Sequence, residues 1–240
     1  MKEWLTRTEL LLGTERLAKL KNANVLVVGL GGVGAYAAEM ICRAGVGKMT
    51  IVDGDIVNPS NRNRQLPALL SNDGKAKASV MSDRLRDINP ELILTVVTEY
   101  IKGDRIAEIL DSEFDYVVDA IDTLSPKVFL IYHSIQKKLP IVSSMGAGGK
   151  FDTTRIRITD ISDTTDCYLA RIVRKRLHRL GVRDGFTAVF SPEPVNKSRI
   201  EIVSGEQNKN SIVGTISYMP AAFGIACASV VIQNIAGIER

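Results

Sequence analysis

The sequence contains few cysteines and few histidines. Three cysteines, Cys42, Cys167 and Cys227, and two histidines occur among 240 residues. The cysteines are far apart, so none belongs to a Cys-x-x-Cys pair, and their odd number does not suit a disulfide framework. These scarcities argue against a cysteine-based zinc site and against a small disulfide-stabilised secreted domain.

Long apolar runs are scarce as well. Residues 1–7 contain no apolar stretch of signal-peptide length, and we therefore expect a cytoplasmic protein. Residues 211–237 carry no charge and are numerous enough to cross a membrane, but Pro220 and Gly224 interrupt them. The prediction for this segment is a buried or interfacial helix, with no stable membrane insertion.

The overall composition is that of an ordinary soluble domain with a basic charge balance. Apolar residues make up 45% and charged residues 24% of the chain, which is long enough to bury one large core. We predict a single domain over 1–240. The net charge of +4 and the pI near 8.9 favour a partner rich in phosphate.

The most informative motif is a glycine-rich turn after an apolar run. Gly29 permits a tight turn, and Gly31 and Gly32 let backbone N–H groups approach a phosphate. Gly34 lets a helix pack close to the strand, and Asp53, 19 residues later, ends a second apolar run and suits a ribose. The pattern predicts nucleotide binding, and alone it fits a dinucleotide-dependent dehydrogenase equally well.

The residues after Asp53 favour a triphosphate over a nicotinamide. Lysine and arginine neutralise phosphate charge, and arginine adds a planar fork for bidentate contacts. The same residue types also have ordinary structural roles, because acidic residues after strands often cap helices and most basic residues are simply exposed to solvent. The candidate nucleotide contacts in this stretch are Asp55, Ser60, Asn61, Arg64, Gln65 and Lys77.

Apolar runs and amphipathic segments alternate through the first 145 residues. This alternation predicts a Rossmann-like, mainly parallel sheet with helices on both faces, extended by antiparallel strands in the C-terminal part. The ligand edge of such a sheet is formed by the carboxyl ends of its strands. We predict strands at 24–29, 48–53, 92–98, 115–119 and 140–144, helices at 32–44, 75–88, 103–112 and 125–137, and further strand-like runs at 155–159 and 199–203.

These motifs, taken in order, resemble the adenylating superfamily that includes ubiquitin-activating enzyme and the ThiF, MoeB and HesA proteins. The resemblance implies that the glycine loop binds ATP, that Asp53 binds the ribose and that Asp122 binds Mg²⁺. It gives Arg64 and Lys77 catalytic roles at the phosphates, and it implies that Arg7 reaches the ATP of a partner subunit. It also implies a nucleotide-binding half at 1–145 and an acceptor-binding and dimerisation half at 146–240 of a homodimer.

A helix at 168–180 separates the later strand-like runs and carries a basic face. Its apolar residues recur at helical spacing, and a basic helix face is commonly only solvated. It lies in the region where the superfamily receives its acceptor, and a phosphate backbone would suit it. The candidate nucleic-acid contacts are Arg171, Arg174, Lys175, Arg179 and Arg183.

One branch of the superfamily, the tRNA threonylcarbamoyladenosine dehydratases, resembles the chain over nearly its whole length. The resemblance is carried by segments 7–13, 61–65, 87–91, 119–122, 145–149 and 169–181. It implies ATP-dependent cyclisation of threonylcarbamoyladenosine in tRNA through an acyl-adenylate, and a monovalent cation, Na⁺ or K⁺, near Met145–Gly149. An adenylating activator of a ubiquitin-like sulfur carrier remains the alternative, and a sulfur-transfer partner protein stays open with it.

The chain departs from the thiol-transferring relatives at its cysteines. The only candidate for a thioester-forming cysteine is Cys167, and its acidic neighbour Asp166 gives a thiolate no stabilisation. We therefore predict a helix-start position for Cys167 and no thioester transfer. His133 and His178 fall within predicted helices, so no general base is assigned.

Overall fold

The computed structural model describes residues 3–202 and 211–239. Seven strands form one sheet in the order β3-β2-β1-β4-β5-β7-β6, and two more form a separate hairpin. The strands are β1 (Asn24–Val28), β2 (Lys48–Val52), β3 (Ile93–Val97), β4 (Tyr116–Asp119), β5 (Ile141–Ser144), β6 (Arg157–Asp160), β7 (Thr187–Phe190), β8 (Ile200–Ile202) and β9 (Ser211–Val213). The helices are α1 (Thr6–Leu12), α2 (Thr14–Asn22), α3 (Gly34–Arg43), α4 (Lys77–Ile88), α5 (Asp104–Ile109), α6 (Leu124–Gln136), α7 (Tyr168–Arg179) and α8 (Tyr218–Ala236).

The sheet is buried on both faces. Successive residues of β1 point to opposite sides, with Val25 and Val27 in one apolar cluster and Leu26 and Val28 in the other. The first cluster is completed by α3, α4 and α8, and the second by α5, α6 and α7. Helices cover both faces because a parallel sheet needs crossover connections, and these carry the helices.

The strand order reverses between β1 and β4. β1 pairs with β2 on one side and with β4 on the other, all in parallel. A crevice at the carboxyl ends of strands opens where the order reverses, and ligands bind there in open α/β sheets. The glycine loop follows β1, and Asp53 follows β2, so the predicted site residues surround this point.

Most predicted elements agree with the structure to within a few residues, but the C-terminal part differs in two respects. The segment 187–190, for which we predicted no strand, forms β7, which pairs in parallel with β5. The sheet is then extended by one antiparallel strand, β6. The run at 199–203 forms β8, which pairs with β9 in the separate hairpin and does not extend the sheet; residue 203 lies outside the described residues.

The apolar segment near the C-terminus forms α8, which packs closely on α3. A Cβ at Gly224 would lie 2.3 Å from the carbonyl oxygen of Val33, so only glycine permits this approach. Within the described residues, α8 is the one helix whose length and hydropathy would allow it to cross a membrane. Its buried side chains belong to the main core, as expected for a buried helix.

Candidate active site

The glycine loop is held in a conformation that only glycine allows. Gly29 has a φ of +88°, and a Cβ there would lie 2.7 Å from the carbonyl oxygen of Ala120. A Cβ at Gly34 would lie 1.8 Å from the carbonyl oxygen of Gly29. The turn therefore brings the start of α3 directly over the end of β1 and against the loop after β4.

Three backbone N–H groups of this loop are not used in hydrogen bonds within the described part of the protein. The N–H groups of Gly31, Gly32 and Val33 donate to no acceptor within residues 3–202 and 211–239. The buried side-chain oxygen of Gln65 also has no hydrogen-bond partner among the described residues. A Cβ added at Gly31 would point toward the Gln65 side chain, 3.7 Å from its amide nitrogen. Unused amides at a helix N-terminus form a phosphate-binding cradle, so the loop fits a nucleotide.

Asp53 is fixed by the backbone on two sides. Its carboxylate accepts hydrogen bonds from the N–H of Leu30 at 2.6 Å and from the N–H of Asp55 at 2.7 Å. Burial raises the pKa of Asp53, while the Lys77 ammonium opposes that shift. The remaining lone pairs of the carboxylate can accept ribose hydroxyls.

Lys77 is buried at the start of α4 and is held by Asp55. The Nζ atom lies 2.8 Å from a carboxylate oxygen of Asp55, and the lysine side chain is 5% exposed. The Tyr100 hydroxyl donates to the other carboxylate oxygen. Asp55, predicted as a nucleotide contact, thus holds Lys77 in place in this structure.

Tyr100, in the loop after β3, was not among the predicted site residues. Its hydrogen bond to Asp55, aided by burial and the nearby charges of Asp53 and Asp122, raises the pKa of Tyr100 to about 12. Gly54 makes room for this loop, since a Cβ there would lie 2.5 Å from the N atom of Tyr100. A tyrosine in a loop of mixed composition carries no sequence signal for such a role.

Arg64 lies half-buried beside the glycine loop. Its guanidinium donates to the Ser60 carbonyl and to the Asn63 side chain, both at 2.9 Å. Burial lowers the pKa of Arg64, and the carboxylate of Asp122 opposes that shift. Arg64 and Asp122 therefore face the same space, with the guanidinium oriented before any ligand binds.

Ser60 and Asn61 contribute to the turn that carries Arg64. Ser60 is exposed, and Asn61 is buried. The Asn61 side-chain oxygen accepts the N–H of Asn58 at 3.2 Å, and the Asn61 carbonyl accepts the N–H of Gln65 at 2.9 Å. The structure thus gives Asn61 a structural task, the closing of this turn.

Asp122 lies in the loop between β4 and α6, three residues beyond the end of the strand. Its side chain is exposed, whereas Asp119, which ends β4, is fully buried. The predicted strand at 115–119 ends at the same residue as β4, so Asp122 lies in the loop at the carboxyl edge of the sheet. Its carboxylate is accessible from solvent.

A buried polar cluster supports this loop from below. The Lys127 ammonium, which is fully buried, donates to Asp119 at 2.6 Å and to the Ser144 carbonyl at 2.9 Å. The Ser143 hydroxyl donates to the same Asp119 oxygen at 2.5 Å, and the other oxygen accepts the N–H of Ile121. Asp119 and Lys127 thus fix the backbone that presents Asp122, a role that the sequence reading missed.

Arg7 is exposed on α1. Among the described residues it makes no hydrogen bond or ion pair. The structure does not connect Arg7 with Arg64, Lys77 or Asp122 of its own chain. Its predicted role at a partner's nucleotide remains a prediction.

The three cysteines are buried and unpaired by disulfides. Burial raises the pKa of Cys42 to about 11 and that of Cys227 to about 12. Cys167 immediately precedes α7, as predicted for a helix-start residue. Within the described residues there is also no cluster of three side chains suited to bind a metal ion.

The basic face of α7 is exposed except at one position. Arg171, Lys175, Arg179 and Arg183 are exposed, as predicted. Arg174 is instead half-buried, and it donates to the carbonyl of Thr164 at 2.7 Å and to the Thr164 hydroxyl. Arg174 therefore differs from the other four, because its guanidinium satisfies oxygens of the preceding loop, and its predicted contact with nucleic acid remains a prediction.

The Met145–Gly149 segment lies beside two basic side chains. The buried Lys150 donates to the carbonyls of Ser191 at 2.8 Å and Glu193 at 2.7 Å. Arg199 donates to the carbonyl of Gly149 at 3.1 Å. Of the carbonyls of Met145–Gly149, that of Gly149 is thus bound by a cation of the chain itself.

Comparison with known proteins agrees with this geometry. The ThiF family model matches residues 5–240. The chain is 42% identical over 188 residues to a tRNA threonylcarbamoyladenosine dehydratase of Bacillus subtilis, with 78% of this chain and 74% of that protein covered. It is 44% identical to a dehydratase of the same name from Escherichia coli, with 71% of this chain and 63% of that protein covered.

Solved structures give the same grouping. The structure of the Escherichia coli tRNA N6-threonylcarbamoyladenosine dehydratase in complex with ATP superposes with a TM-score of 0.89 at 36% identity, covering 99% and 96% of the two chains. A molybdopterin-synthase adenylyltransferase of Escherichia coli is a more distant relative, 33% identical with 62% of this chain and 58% of that protein covered. The chain therefore belongs to the ThiF family, and within it to the branch of the tRNA threonylcarbamoyladenosine dehydratases.

Proposed function

We propose that this protein catalyses the ATP-dependent dehydration of threonylcarbamoyladenosine in tRNA, closing the threonylcarbamoyl group into a ring. The observation that carries the proposal is the convergence of unused loop amides, Asp53, Arg64, Lys77 and Asp122 on one edge of the sheet. Adenylation needs such a set, because a triphosphate must be neutralised and oriented before a carboxylate can attack it. The dehydratase relatives share nearly the whole fold, including one solved with ATP.

Each side chain of this edge has a distinct task toward the nucleotide. The amides of Gly31 and Gly32 bind phosphate oxygens, and Asp53 accepts the ribose hydroxyls. Arg64 and Lys77 stabilise the charge that develops on the α-phosphate and on the departing pyrophosphate. Lys77 must then exchange its contact with Asp55 for the phosphates, and Asp55 remains hydrogen-bonded to Tyr100.

Mg²⁺ fits beside Asp122. The carboxylate is exposed next to Arg64, and a hard divalent cation favours one or two carboxylates together with phosphate oxygens and water. When bound, the ion supplies charge neutralisation at the phosphates. Asp119 and Lys127 act indirectly, by fixing the loop that carries Asp122.

The chemistry proceeds in two steps. An oxygen of the threonyl carboxylate forms a bond to the α-phosphorus of ATP, and pyrophosphate leaves. The carbamoyl group of the same modification then attacks the activated acyl carbon, loses a proton and expels AMP together with the former carboxylate oxygen. The second step is intramolecular, so proximity supplies most of its rate and no enzyme thiol is required.

We further propose a homodimer in which Arg7 acts across the interface. Leu10 and Leu11 on α1 are 81% and 83% exposed, and Ile225 on α8 is 50% exposed, which supports burial of these faces by a second copy. A Cβ at Gly32 would lie 2.8 Å from the Pro220 side chain, so α8 also contacts the glycine loop. A partner on α8 would thus be coupled to the nucleotide site.

A monovalent cation near Met145–Gly149 remains a prediction. Arg199 already binds the Gly149 carbonyl, whereas Lys150 binds the carbonyls of Ser191 and Glu193 outside this segment. We assign no step to Na⁺ or K⁺ in this chain.

The exposed positions Arg171, Lys175, Arg179 and Arg183 are proposed to contact the tRNA backbone.

The second candidate function is the activation of a sulfur-carrier protein. The similarity to a molybdopterin-synthase adenylyltransferase supports this candidate. The burial of all three cysteines, with the pKa of Cys42 and Cys227 raised, disfavours thiol-dependent transfer. A sulfur-transfer partner therefore remains a proposal tied to this second candidate. The cytoplasmic location also stays a prediction.

The deciding experiment incubates the protein with ATP, Mg²⁺ and tRNA that carries threonylcarbamoyladenosine. Mass analysis of the nucleosides should show the loss of one water, with AMP and pyrophosphate formed in equal amounts. Asp122→Ala should abolish both changes, while Asp104→Ala, a change of an exposed acid on α5, should not. An unchanged nucleoside mass with active tRNA present would contradict the proposal, and pyrophosphate release driven by a carrier protein would favour the second candidate.

A further inference from the structure

A second concave surface lies between the first turns of α6 and the last turn of α7. We call it the α6–α7 groove; it has a volume of about 290 Å³. It is separate from the glycine loop and from the residues assigned to the nucleotide. Its lining residues are Ser125, Val128, Phe129, Arg176, Arg179 and Leu180.

The floor of the α6–α7 groove is apolar and contains an accessible aromatic ring. Phe129 is 42% exposed and Leu180 is 38% exposed. The Phe129 ring stacks with His133 on the same helix, with centroids 6.3 Å apart, which restricts its orientation. An oriented, partly exposed ring beside an apolar floor offers a stacking surface for a planar group.

The rim of the groove is basic, and the helices that form it carry no acidic residue. Neither Leu124–Gln136 nor Tyr168–Arg179 contains aspartate or glutamate. The Arg176 guanidinium donates to the Ser125 hydroxyl at 3.1 Å, which holds it at the rim, and Arg179 is exposed beside it. The charge of the rim therefore complements a polyanion.

The groove lies next to the catalytic edge. Helix α6 begins two residues after Asp122, and Phe129 lies five positions beyond Leu124, a rise of about 7.5 Å along a helix. An adenosine that enters the active site must leave the stack of its RNA loop, and its neighbours lose stacking partners. A neighbouring base is then free to stack on an aromatic side chain close to the site, and Phe129 is such a side chain.

We infer that the α6–α7 groove binds one unstacked base of the tRNA substrate, from a nucleotide close to the reacting adenosine. Phe129 supplies the stacking face, and Arg176 and Arg179 contact the flanking phosphates. The inference rests on the proposed function for the identity of the RNA. Stacking on an aromatic ring with arginine at the phosphates is the usual mode of binding to single-stranded RNA.

The test compares Phe129→Ala, Phe129→Trp and Arg179→Ala with wild type. Steady-state dehydration of the modified tRNA gives KM and kcat, and the anisotropy of labelled tRNA measures binding directly. Phe129→Ala should raise KM for tRNA and the Kd about 10-fold. Phe129→Trp should keep both within about twofold, because the stacking face remains. Arg179→Ala should raise both about fivefold and lower the salt dependence by about one phosphate contact.

Matched controls are available at the opposite edge of the sheet. Lys48, at the start of β2, and Ile93, at the start of β3, are both exposed. Lys48→Ala and Ile93→Ala should leave the tRNA parameters within about twofold, because only side chains near the groove make the contact. In all variants KM for ATP and the urea midpoint should match wild type, which separates a binding defect from a folding defect.

The outcomes separate this inference from the proposed function. If wild type dehydrates the tRNA and Phe129→Ala retains the wild-type KM and Kd, the groove assignment is overturned and the function stands. If Phe129→Ala weakens the binding of a duplex RNA without a loop as much as it weakens the binding of the tRNA, base stacking is contradicted. A change of subunit association in Phe129→Ala, without a change in tRNA binding, would assign the groove to a second copy instead. If wild type does not dehydrate the tRNA, the function fails, and the anisotropy measurement alone decides whether the groove binds RNA.

Discussion

The nucleotide edge and the α7 face both carry clustered charge, but they hold it differently. At the nucleotide edge, Asp53 is fixed by two backbone amides and Lys77 is held by Asp55. On α7, Lys175 and Arg179 are exposed and make no hydrogen bond to the described protein. Fixed charges suit a transition state whose geometry is always the same, whereas free charges can adjust to a long and flexible polyanion.

Buried and exposed charges also differ in how much they contribute to the free energy of unfolding. Charges that are buried must be paired, because an unpaired buried ion costs several kcal/mol, and exposed pairs contribute little. The Asp119–Lys127 pair, with both side chains fully buried, represents the first case, and the Asp111–Lys137 pair, with side chains 70% and 38% exposed, represents the second. Four comparisons of variants test this contrast, from the largest expected effect to the smallest.

Lys127→Met should have the largest effect. It leaves the buried Asp119 carboxylate without its cation and should lower the free energy of unfolding by about 3–5 kcal/mol. Lys137→Met, at an exposed pair, should cost less than about 1 kcal/mol. Urea unfolding of both variants provides the measurement, and equal losses would refute the assigned importance of the buried cluster.

Lys77→Ala should reduce catalysis without a comparable loss of stability. Removal of one preorganised cation at the phosphates should lower kcat by about 10²–10³-fold. Lys75→Ala is the matched control, because Lys75 is exposed and, within the described residues, its ammonium has one hydrogen bond, to Asn72 at 3.3 Å; the kcat of this variant should stay within about twofold of wild type. Pyrophosphate release reports both values, and similar rates in the two variants would remove Lys77 from the site.

Asp53 should make ATP binding dependent on pH. Burial raises the pKa of this carboxyl, and the ionised carboxylate accepts ribose hydroxyls more strongly than the neutral acid does, so ATP affinity should fall as pH decreases through the raised pKa. The sign for stability is opposite, because a raised folded-state pKa favours folding at low pH and that contribution disappears as pH rises through it. We expect KM for ATP to increase as the pH is lowered from 7, and to begin rising at a higher pH than an unperturbed aspartate, with its pKa of about 3.9, would give.

Asp53→Asn provides the comparison for that titration. Asparagine does not ionise in this range, so the variant should bind ATP weakly at every pH, apart from the titration of ATP itself. The difference between the two pH profiles isolates the carboxyl. Parallel profiles for wild type and variant would show that Asp53 is not the titrating group.

Arg174→Ala and Lys175→Ala should separate two neighbours on α7. Loss of the Arg174 contacts to Thr164 should cost about 1–2 kcal/mol of unfolding free energy, with no change in the salt dependence of tRNA binding. Lys175→Ala should leave stability within about 0.5 kcal/mol and reduce the salt slope by about one. The reverse pattern would return Arg174 to the RNA-binding face.

Much of the fold could be read from the sequence because its signals are local. The apolar run before Gly29 and the glycine spacing predicted β1, the loop and α3 closely, and Asn89-Pro90 marked the end of α4. β7, Thr187–Phe190, escaped prediction although β4 and β5 are equally short, because it lies beyond the first 145 residues, in which the alternation of strands and helices was recognised. The separate β8–β9 hairpin could not be distinguished from an extension of the sheet, since strand order is a long-range property.

The site divides in the same way. Asp53, Arg64 and Lys77 stand in a single stretch whose spacing is visible in the chain, so their grouping could be predicted. Tyr100 reaches Asp55 across 45 residues, and Arg174 turns back to Thr164, which no local pattern indicates.

The sequence by itself determined the nucleotide-binding loop, the alternation of strands and helices, and the membership of an adenylating family. These features depend on short-range backbone requirements, such as glycine at the turn after β1. Only the tertiary structure decided that Asp119 and Lys127 pair beneath the loop of Asp122, that the Arg174 guanidinium binds Thr164 and that Phe129 lines a groove. Burial and partner choice decide the role of a charged or aromatic side chain, and both depend on which distant elements pack together.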